Sequence, residues 1–146
     1  MATVRDLLVR KGTTVFTVSP DQTVLEGARL MNDQGIGGLV VAQDGGLVGV
    51  FTERDVLRRV VAERRDPATT PIAEVMTRDV ITCAPETSLD ECRAVMTARR
   101  VRHLPVLAVD GIAGIITIGD LLANEVAESQ ATIGHLQSYV FDVRAV

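Results

Sequence analysis

The sequence predicts an α/β (α+β) fold made of two tandem β-α-β-β-α repeats that pack about a pseudo-twofold axis. Two observations support this prediction. First, the stretches 47–57 and 112–122 each join a short apolar run to Thr-x-x-Asp and then to a helical apolar pattern. Second, the aspartates of these stretches, Asp55 and Asp120, lie 65 residues apart, and matching residues keep this spacing through most of the chain.

The composition is typical of an aliphatic core with few aromatic side chains. Of the 146 residues, 47% are hydrophobic, but only three are Phe, one is Tyr and none is Trp. Each repeat alone lies near the lower size limit for a stable core. We therefore expect residues 1–146 to form a single module in which the two repeats share their packing.

The charge and the apolar pattern argue against several classes of function. The net charge is −4, whereas a nucleic-acid-binding face requires clustered basic residues. No apolar run approaches the roughly 20 residues of a membrane span, and the first residues do not resemble a signal peptide. Cys83 and Cys92 lack neighbouring metal-ligand types, so we expect buried thiols, no metal site and a reduced, cytoplasmic protein.

The first repeat is assigned to residues 7–65. An amphipathic helix is expected at Val4–Lys11 and is ended by Gly12. A capping box at Thr23 opens the next helix, which Gly35 ends. The other expected elements are strands at 15–18, 36–42 and 47–51, a turn at 44–46, and a closing helix from residue 56.

The second repeat is assigned to residues 72–128. It follows a linker at 64–71 that contains Pro67 and Pro71, and it starts with a short helix at 72–76. Its elements are expected at the first repeat's positions plus 65, with a second capping box at Ser88. A helical tail is expected at 129–146, where an apolar face packs either on the same chain or on a second subunit.

The Thr-x-x-Asp ends allow two interpretations. Asp55 and Asp120 can each accept two hydrogen bonds from the vicinal hydroxyls of a ribose. Thr52 and Thr117 can donate to a phosphate near the positive end of a helix. The same spacing is also a capping box, so on the residues alone helix capping is the stronger interpretation.

No catalytic set emerges from the sequence, and we expect no enzymatic activity. The two histidines have no evident nucleophile within reach, and neither a Walker motif nor a dinucleotide fingerprint is present. Most arginines next to the Thr-x-x-Asp ends and strand entries are interpreted as solvated helix charges. These are Arg58, Arg59, Arg99 and Arg100.

Together, these features resemble a CBS-domain pair, the module first named in cystathionine β-synthase and also called a Bateman module. The resemblance covers about residues 7–128. It rests on the 65-residue repeat, the Gly-hydrophobic-hydrophobic-Thr-x-x-Asp ends at 49–55 and 114–120, Met76-Thr77, and Arg-His-Leu-Pro-Val at 102–106. The chain is most similar to small stand-alone prokaryotic members. The resemblance implies two clefts that bind AMP, ADP, ATP, NAD or S-adenosylmethionine, and a homodimer.

The resemblance also implies which residues line the clefts, with Thr-x-x-Asp taken from one repeat and most other residues from the other. The first cleft is expected to contain Thr52, Arg54, Asp55, Thr82, Cys83, Val101, Arg102, His103 and Pro105. The second cleft is expected to contain Thr17, Val18, Ile36, Gly37, Gly38, Thr117 and Asp120. Since Arg102 and His103 correspond to glycines in repeat one, the first cleft should prefer the ligand with more phosphate.

These expectations lead to a regulatory module that binds an adenine nucleotide and signals to an unknown protein target through a ligand-linked conformational change. The alternative is a ligand-independent interaction and dimerisation module, in which Thr-x-x-Asp acts only as a helix cap. A nucleotide effect on stability distinguishes the two.

Overall fold

The computed structural model describes residues 1–132, and side-chain surroundings as far as residue 129. The expected tail at 133–146 lies outside the described residues. The helices are α1 Val4–Lys11, α2 Val24–Gln34, α3 Glu53–Asp55, α4 Leu89–Arg99 and α5 Ile118–Thr132. The strands are β1 Thr17–Val18, β2 Gly38–Gln43, β3 Gly46–Thr52, β4 His103–Ala108 and β5 Gly111–Thr117. A π-helical turn, Val56–Val61, continues α3, and a 3₁₀ turn covers Ile72–Glu74.

The predicted α+β fold is confirmed, with one small sheet in each repeat. In the first sheet β1 lies parallel to β2, and β2 pairs antiparallel with β3. In the second sheet β4 and β5 form an antiparallel hairpin. Within residues 1–132, no helix is long and apolar enough to cross a membrane.

The expected first strand of repeat two is reduced to a single parallel bridge between Cys83 and Val106. In repeat one, the N–H of Val40 donates to the carbonyl oxygen of Phe16 and so links β2 to β1. The residue at the position of Val40 in repeat two is Pro105, which has no N–H to donate. The proline therefore removes one bond of this ladder, and the prediction of a full strand there was wrong.

The two repeats exchange the short segments that precede them. Val4, Leu7 and Leu8 of α1 are buried in the core of repeat two, together with the inner faces of α4, β4 and β5. Conversely, Ile72 and Met76 are buried in the core of repeat one. Each core is therefore completed by a segment that adjoins the other repeat in sequence.

Two glycines allow this exchange. A Cβ atom on Gly49 would lie 2.7 Å from Met76 Sδ and 2.9 Å from the carbonyl oxygen of Thr77. A Cβ atom on Gly114 would lie 2.9 Å from a methyl carbon of Leu8. The glycine that begins each Gly-hydrophobic-hydrophobic-Thr-x-x-Asp end is thus the point where the exchanged segment packs directly on the strand backbone.

Candidate functional site

Both Thr-x-x-Asp ends cap the start of a helix. At α3, the backbone N–H of Thr52 donates to Asp55 Oδ2 at 2.9 Å. At α5, the N–H of Thr117 donates to Asp120 Oδ2 at 2.8 Å, and the N–H of Asp120 donates to the Thr117 hydroxyl at 3.1 Å. Capping therefore uses only the Oδ2 atom of each aspartate, and Oδ1 stays outside the cap.

The first cleft is a cavity of about 380 Å³ that contains residues of both repeats. Six of its nine expected residues line it: Thr52, Arg54, Asp55, Val101, Arg102 and His103. The structure thus brings the Thr-x-x-Asp end of repeat one opposite the start of β4 in repeat two. That these residues bind a ligand stays a prediction.

Three expected residues, Thr82, Cys83 and Pro105, do not line this cavity. Thr82 is exposed, whereas Pro105 is buried in β4. Cys83 is buried in the core of repeat two, where its hydrogen bond with Cys92 and its burial raise the pKa of the Cys83 thiol. The cavity is lined instead by the residues just before them, Asp79, Val80 and Ile81.

Besides Asp79, the first cleft contains five polar side chains that sequence reasoning did not assign to it: Glu53, Arg58, Arg59, Thr77 and Arg100. The three arginines are exposed, as expected for solvated helix charges, but they also border the cavity, which the sequence did not indicate. Only the Met76-Thr77 pair gave a signal, because it belongs to the motif that carried the family resemblance. Whether an arginine lies in the cleft depends on how the two repeats pack together. The periodicity of apolar residues in the sequence does not predict this packing.

Asp55 is the most buried charged group of the first cleft. Its Oδ1 atom lies 3.7 Å from Arg59 Nε and accepts a hydrogen bond from the Thr77 hydroxyl at 3.4 Å. Burial raises the pKa of Asp55, although its hydrogen bond from the Thr52 N–H acts in the opposite direction. Arg59 is itself held by the carbonyl oxygen of Met76 at 3.0 Å, so the exchanged segment helps to position this pair.

The second cleft is a cavity of about 460 Å³. Five of its seven expected residues line it: Ile36, Gly37, Gly38, Thr117 and Asp120. Thr17 and Val18 do not, because they form β1, where Val18 is buried and Thr17 is exposed. Thr14 and Phe16, just before them, line the cavity instead. These two residues correspond to Asp79 and Ile81 of the first cleft, so the same displacement occurs on both sides.

Lys11 also lines the second cleft and was missed entirely. Its ammonium group donates to Asp120 Oδ2 at 2.5 Å and to the carbonyl oxygen of Ile115 at 2.6 Å. Lys11 is the last residue of α1, which reaches this cleft because α1 packs on repeat two. In the sequence, Lys11 is a basic residue at a helix end, which is the usual position for one and indicates no binding role.

His103 and Arg102 line both clefts, as does Gly37. The His103 ring lies against Gly38, where a Cβ atom would come within 2.9 Å of its Nε2. Burial, followed by the positive charge of Lys11, lowers the pKa of His103. The imidazole is therefore neutral near pH 7 and forms part of the wall that the two clefts share.

The chemistry of both clefts suits a sugar with an anionic group better than a metal. Carboxylates beside hydroxyls can accept hydrogen bonds from a vicinal diol. The guanidinium groups that line the first cleft, and Arg102 in the second, can bind phosphate oxygens. Among the described residues, no group of three or more His, Cys, Asp and Glu side chains is arranged to hold a metal ion.

Two stretches of the chain, residues 3–62 and 72–126, each match the family model of the CBS domain. A curated relative, the CBS domain-containing protein YhcV of Bacillus subtilis, is 35% identical over 131 residues, which cover 90% of this chain and 91% of that protein. A solved CBS-domain-containing protein from Agrobacterium tumefaciens has a TM-score of 0.81 at 37% identity, covering 85% of this chain and 99% of that one.

A more distant structure shares the same fold with a TM-score of 0.78 at 24% identity, covering 88% of this chain and 98% of that one. It is the CBS domain pair of protein MJ0100, solved in complex with 5′-methylthioadenosine and S-adenosyl-L-methionine. Both of these ligands contain an adenosine group.

Proposed function

The chain belongs to the CBS-domain family, and on this premise we propose that it is a regulatory module that binds an adenosine-containing ligand between its repeats. The observation that supports this most strongly is the placement of Asp55 and Asp120. Each carboxylate opens onto a cavity, keeps one oxygen outside the helix cap, and faces residues from the other repeat. A helix cap alone needs neither the cavity nor the opposite wall.

In the first cleft, Asp55 accepts hydrogen bonds from the two ribose hydroxyls. The adenine ring lies between the apolar side chains of Val80, Ile81 and Val101, which line the same cavity. The phosphate groups face Arg102 and His103, with further arginines nearby. This arrangement favours a phosphorylated ligand of the AMP, ADP, ATP or NAD type over S-adenosylmethionine, whose sulfonium group the arginines repel.

The signal arises from linkage. A ligand that touches Asp55 in one repeat and His103 in the other stabilises the angle between repeats at which both contacts are made. The shift in that equilibrium is limited by the difference in affinity between the two arrangements, typically about 1–3 kcal/mol in allosteric proteins. A partner protein that binds one arrangement reads the ligand concentration.

A homodimer is the second part of the proposal. Leu57 and Leu122 occupy equivalent positions, 65 residues apart, and their side chains are 61% and 56% exposed. Val61, one turn after Leu57, is 63% exposed. Large aliphatic side chains exposed at matching helix positions favour association with a second copy. Leu57→Asp with Leu122→Asp should yield a monomer in analytical ultracentrifugation, whereas an unchanged mass would place the interface elsewhere.

The competing function is a ligand-independent interaction module, and one observation favours it. Asp55 and Asp120 already make capping hydrogen bonds, so neither residue needs a ligand to explain it. This module would show no nucleotide effect on stability. Replacing either aspartate by alanine would then cost only the roughly 1 kcal/mol of a lost cap.

Thermal unfolding against AMP, ADP, ATP, NAD, NADH and S-adenosylmethionine separates the two functions. A ligand at 100 times its dissociation constant adds about 2.7 kcal/mol of stability. We expect at least one ligand to raise the unfolding temperature, and the rise to disappear in Asp55→Ala or Asp120→Ala. An unfolding temperature that none of the six ligands changes would favour the interaction module. Within this panel, Arg102→Ala should reduce the stabilisation by ATP more than the stabilisation by AMP.

A further inference from the structure

The two clefts share one pair of polar side chains. Arg102 and His103 line both cavities, whereas their counterparts in repeat one are Gly37 and Gly38, which have no side chain. The His103 ring occupies the space beside Gly38 that a second side chain would need. The pseudo-twofold symmetry is therefore broken at the wall between the clefts. A symmetric pair would have an arginine and a histidine from each repeat, but only repeat two supplies them.

The clefts differ in the cations that belong to them alone. Only the first cleft is lined by Arg54, Arg58, Arg59 and Arg100. Among the described residues that line the second cleft, Lys11 is the one cation not shared with the first. Its ammonium group is engaged by Asp120 and by the carbonyl oxygen of Ile115. The guanidinium and imidazole groups that a phosphate in the second cleft can use are therefore those of Arg102 and His103, which the first cleft shares.

From this arrangement we infer that the two clefts compete for Arg102 and His103, so that each module holds one phosphorylated adenine nucleotide tightly and a second one much more weakly. The tightly bound nucleotide occupies the first cleft, where other arginines assist. The second cleft then accepts an unphosphorylated adenosine-type ligand, whose ribose and base need neither shared side chain. The inference rests on the proposed function, because it presumes that both clefts bind adenosine groups.

The size of the effect follows from the chemistry of the contacts. A hydrogen bond from a charged donor contributes about 1.5–3 kcal/mol, which corresponds to a factor of ten or more in affinity. When the first nucleotide binds Arg102, the second nucleotide cannot make the same hydrogen bond from Arg102 to its phosphate. Its phosphate is also repelled by the negative phosphate of the first nucleotide, which lies on the other side of Arg102 and His103. The second phosphorylated ligand should thus bind at least about tenfold more weakly than the first.

Isothermal titration of the full chain with AMP, and with adenosine as the matched control ligand, tests this inference. Asp55→Asn blocks the first cleft, and Asp120→Asn blocks the second. Both substitutions keep a side-chain oxygen that can accept the capping hydrogen bond. In the wild type we expect one tight AMP per chain and a second at least about tenfold weaker, whereas adenosine binds both clefts without interference.

Blocking the first cleft gives the sharper result. Asp55→Asn releases Arg102 and His103, so AMP should bind the second cleft about tenfold more tightly than the second AMP binds the wild type. This gain should vanish when Arg102→Ala is added, and it should be absent for adenosine in every variant. Unfolding curves for each variant establish that it is folded before it is titrated.

Two outcomes overturn the inference, and they are distinguishable. If AMP fills both clefts of the wild type with the affinities measured in the two single-cleft variants, the clefts are independent. The competition is then wrong, although the proposed function stands. If neither AMP nor adenosine binds any variant, the proposed function and this inference fail together.

Discussion

Lys11 Nζ lies 2.5 Å from Asp120 Oδ2, although 109 residues separate the two along the chain. The equivalent carboxylate, Asp55, has instead the hydroxyl of Thr77 at 3.4 Å and the guanidinium group of Arg59 at 3.7 Å. In the second cleft an ammonium group thus shares the capping oxygen Oδ2 of the aspartate, whereas in the first cleft the neighbouring groups contact the other oxygen, Oδ1. The two clefts differ at the sugar as well as at the phosphate.

Removing this ammonium group should open the second cleft. Lys11→Met keeps most of the length of the side chain and removes the positive charge that competes with the ribose hydroxyls for the Asp120 carboxylate. We expect adenosine to bind several-fold more tightly in an Asp55→Asn background, where only the second cleft is active. Arg10→Met, one residue away, is the matched control and should change nothing. Weaker binding in Lys11→Met would instead show that Lys11 contacts the ligand.

Asp55→Asn should separate stability from ligand binding. Burial raises the pKa of Asp55, so the folded protein binds the proton more tightly than the unfolded chain does. The free energy of unfolding therefore falls as the pH rises through the folded pKa of Asp55. Asparagine avoids this loss while still accepting the Thr52 N–H. In chemical denaturation at pH 7, we expect a free energy of unfolding equal to or above that of the wild type, with no gain below pH 4.

The stabilisation by AMP through the first cleft should nevertheless disappear in Asp55→Asn. A drop of more than about 1 kcal/mol in the free energy of unfolding without ligand would contradict this account. It would mean that the ionised form of Asp55 is required for the cap.

The two motif glycines should differ in their tolerance of alanine. In Gly49→Ala the new methyl group would meet the backbone oxygen of Thr77 as well as Met76, whereas in Gly114→Ala it would meet only the flexible end of Leu8. Overpacking typically costs about 1–3 kcal/mol. We expect Gly49→Ala to destabilise the protein by more than Gly114→Ala in denaturant unfolding, and equal losses would argue against the backbone contact as the cause.

His103 should make stability depend on pH. Burial lowers its pKa, with Lys11 and Arg102 acting in the same direction and Glu53 and Asp120 opposing them. Below the unfolded pKa of about 6.5, the unfolded chain therefore binds more protons than the folded protein. The wild type should lose stability between pH 7.5 and 5.5 more steeply than His103→Gln, as measured by denaturant unfolding at each pH. Parallel curves would refute a buried neutral imidazole.

Much of the fold could be predicted because its signals are local and occur twice. The capping threonine and serine before α2 and α4 both accept the expected backbone hydrogen bond. The lining of the clefts was less predictable, since it depends on how the repeats pack. Cys83 lies in the core of its repeat, as its counterpart Val18 does, so neither lines a cleft. Lys11 reaches Asp120 only because α1 crosses to repeat two.

The exchange of α1 and the 72–76 segment has a consequence for how the chain is made. Helix α1 leaves the ribosome before both sheets, but its partners include Leu121, more than 110 residues later. The core of repeat one can close once Met76 has emerged, while α1 must wait with Val4, Leu7 and Leu8 unpaired. Closing so long a loop is slow. We therefore expect α1 to dock last during synthesis, and neither repeat to fold fully when expressed as a fragment cut at the linker.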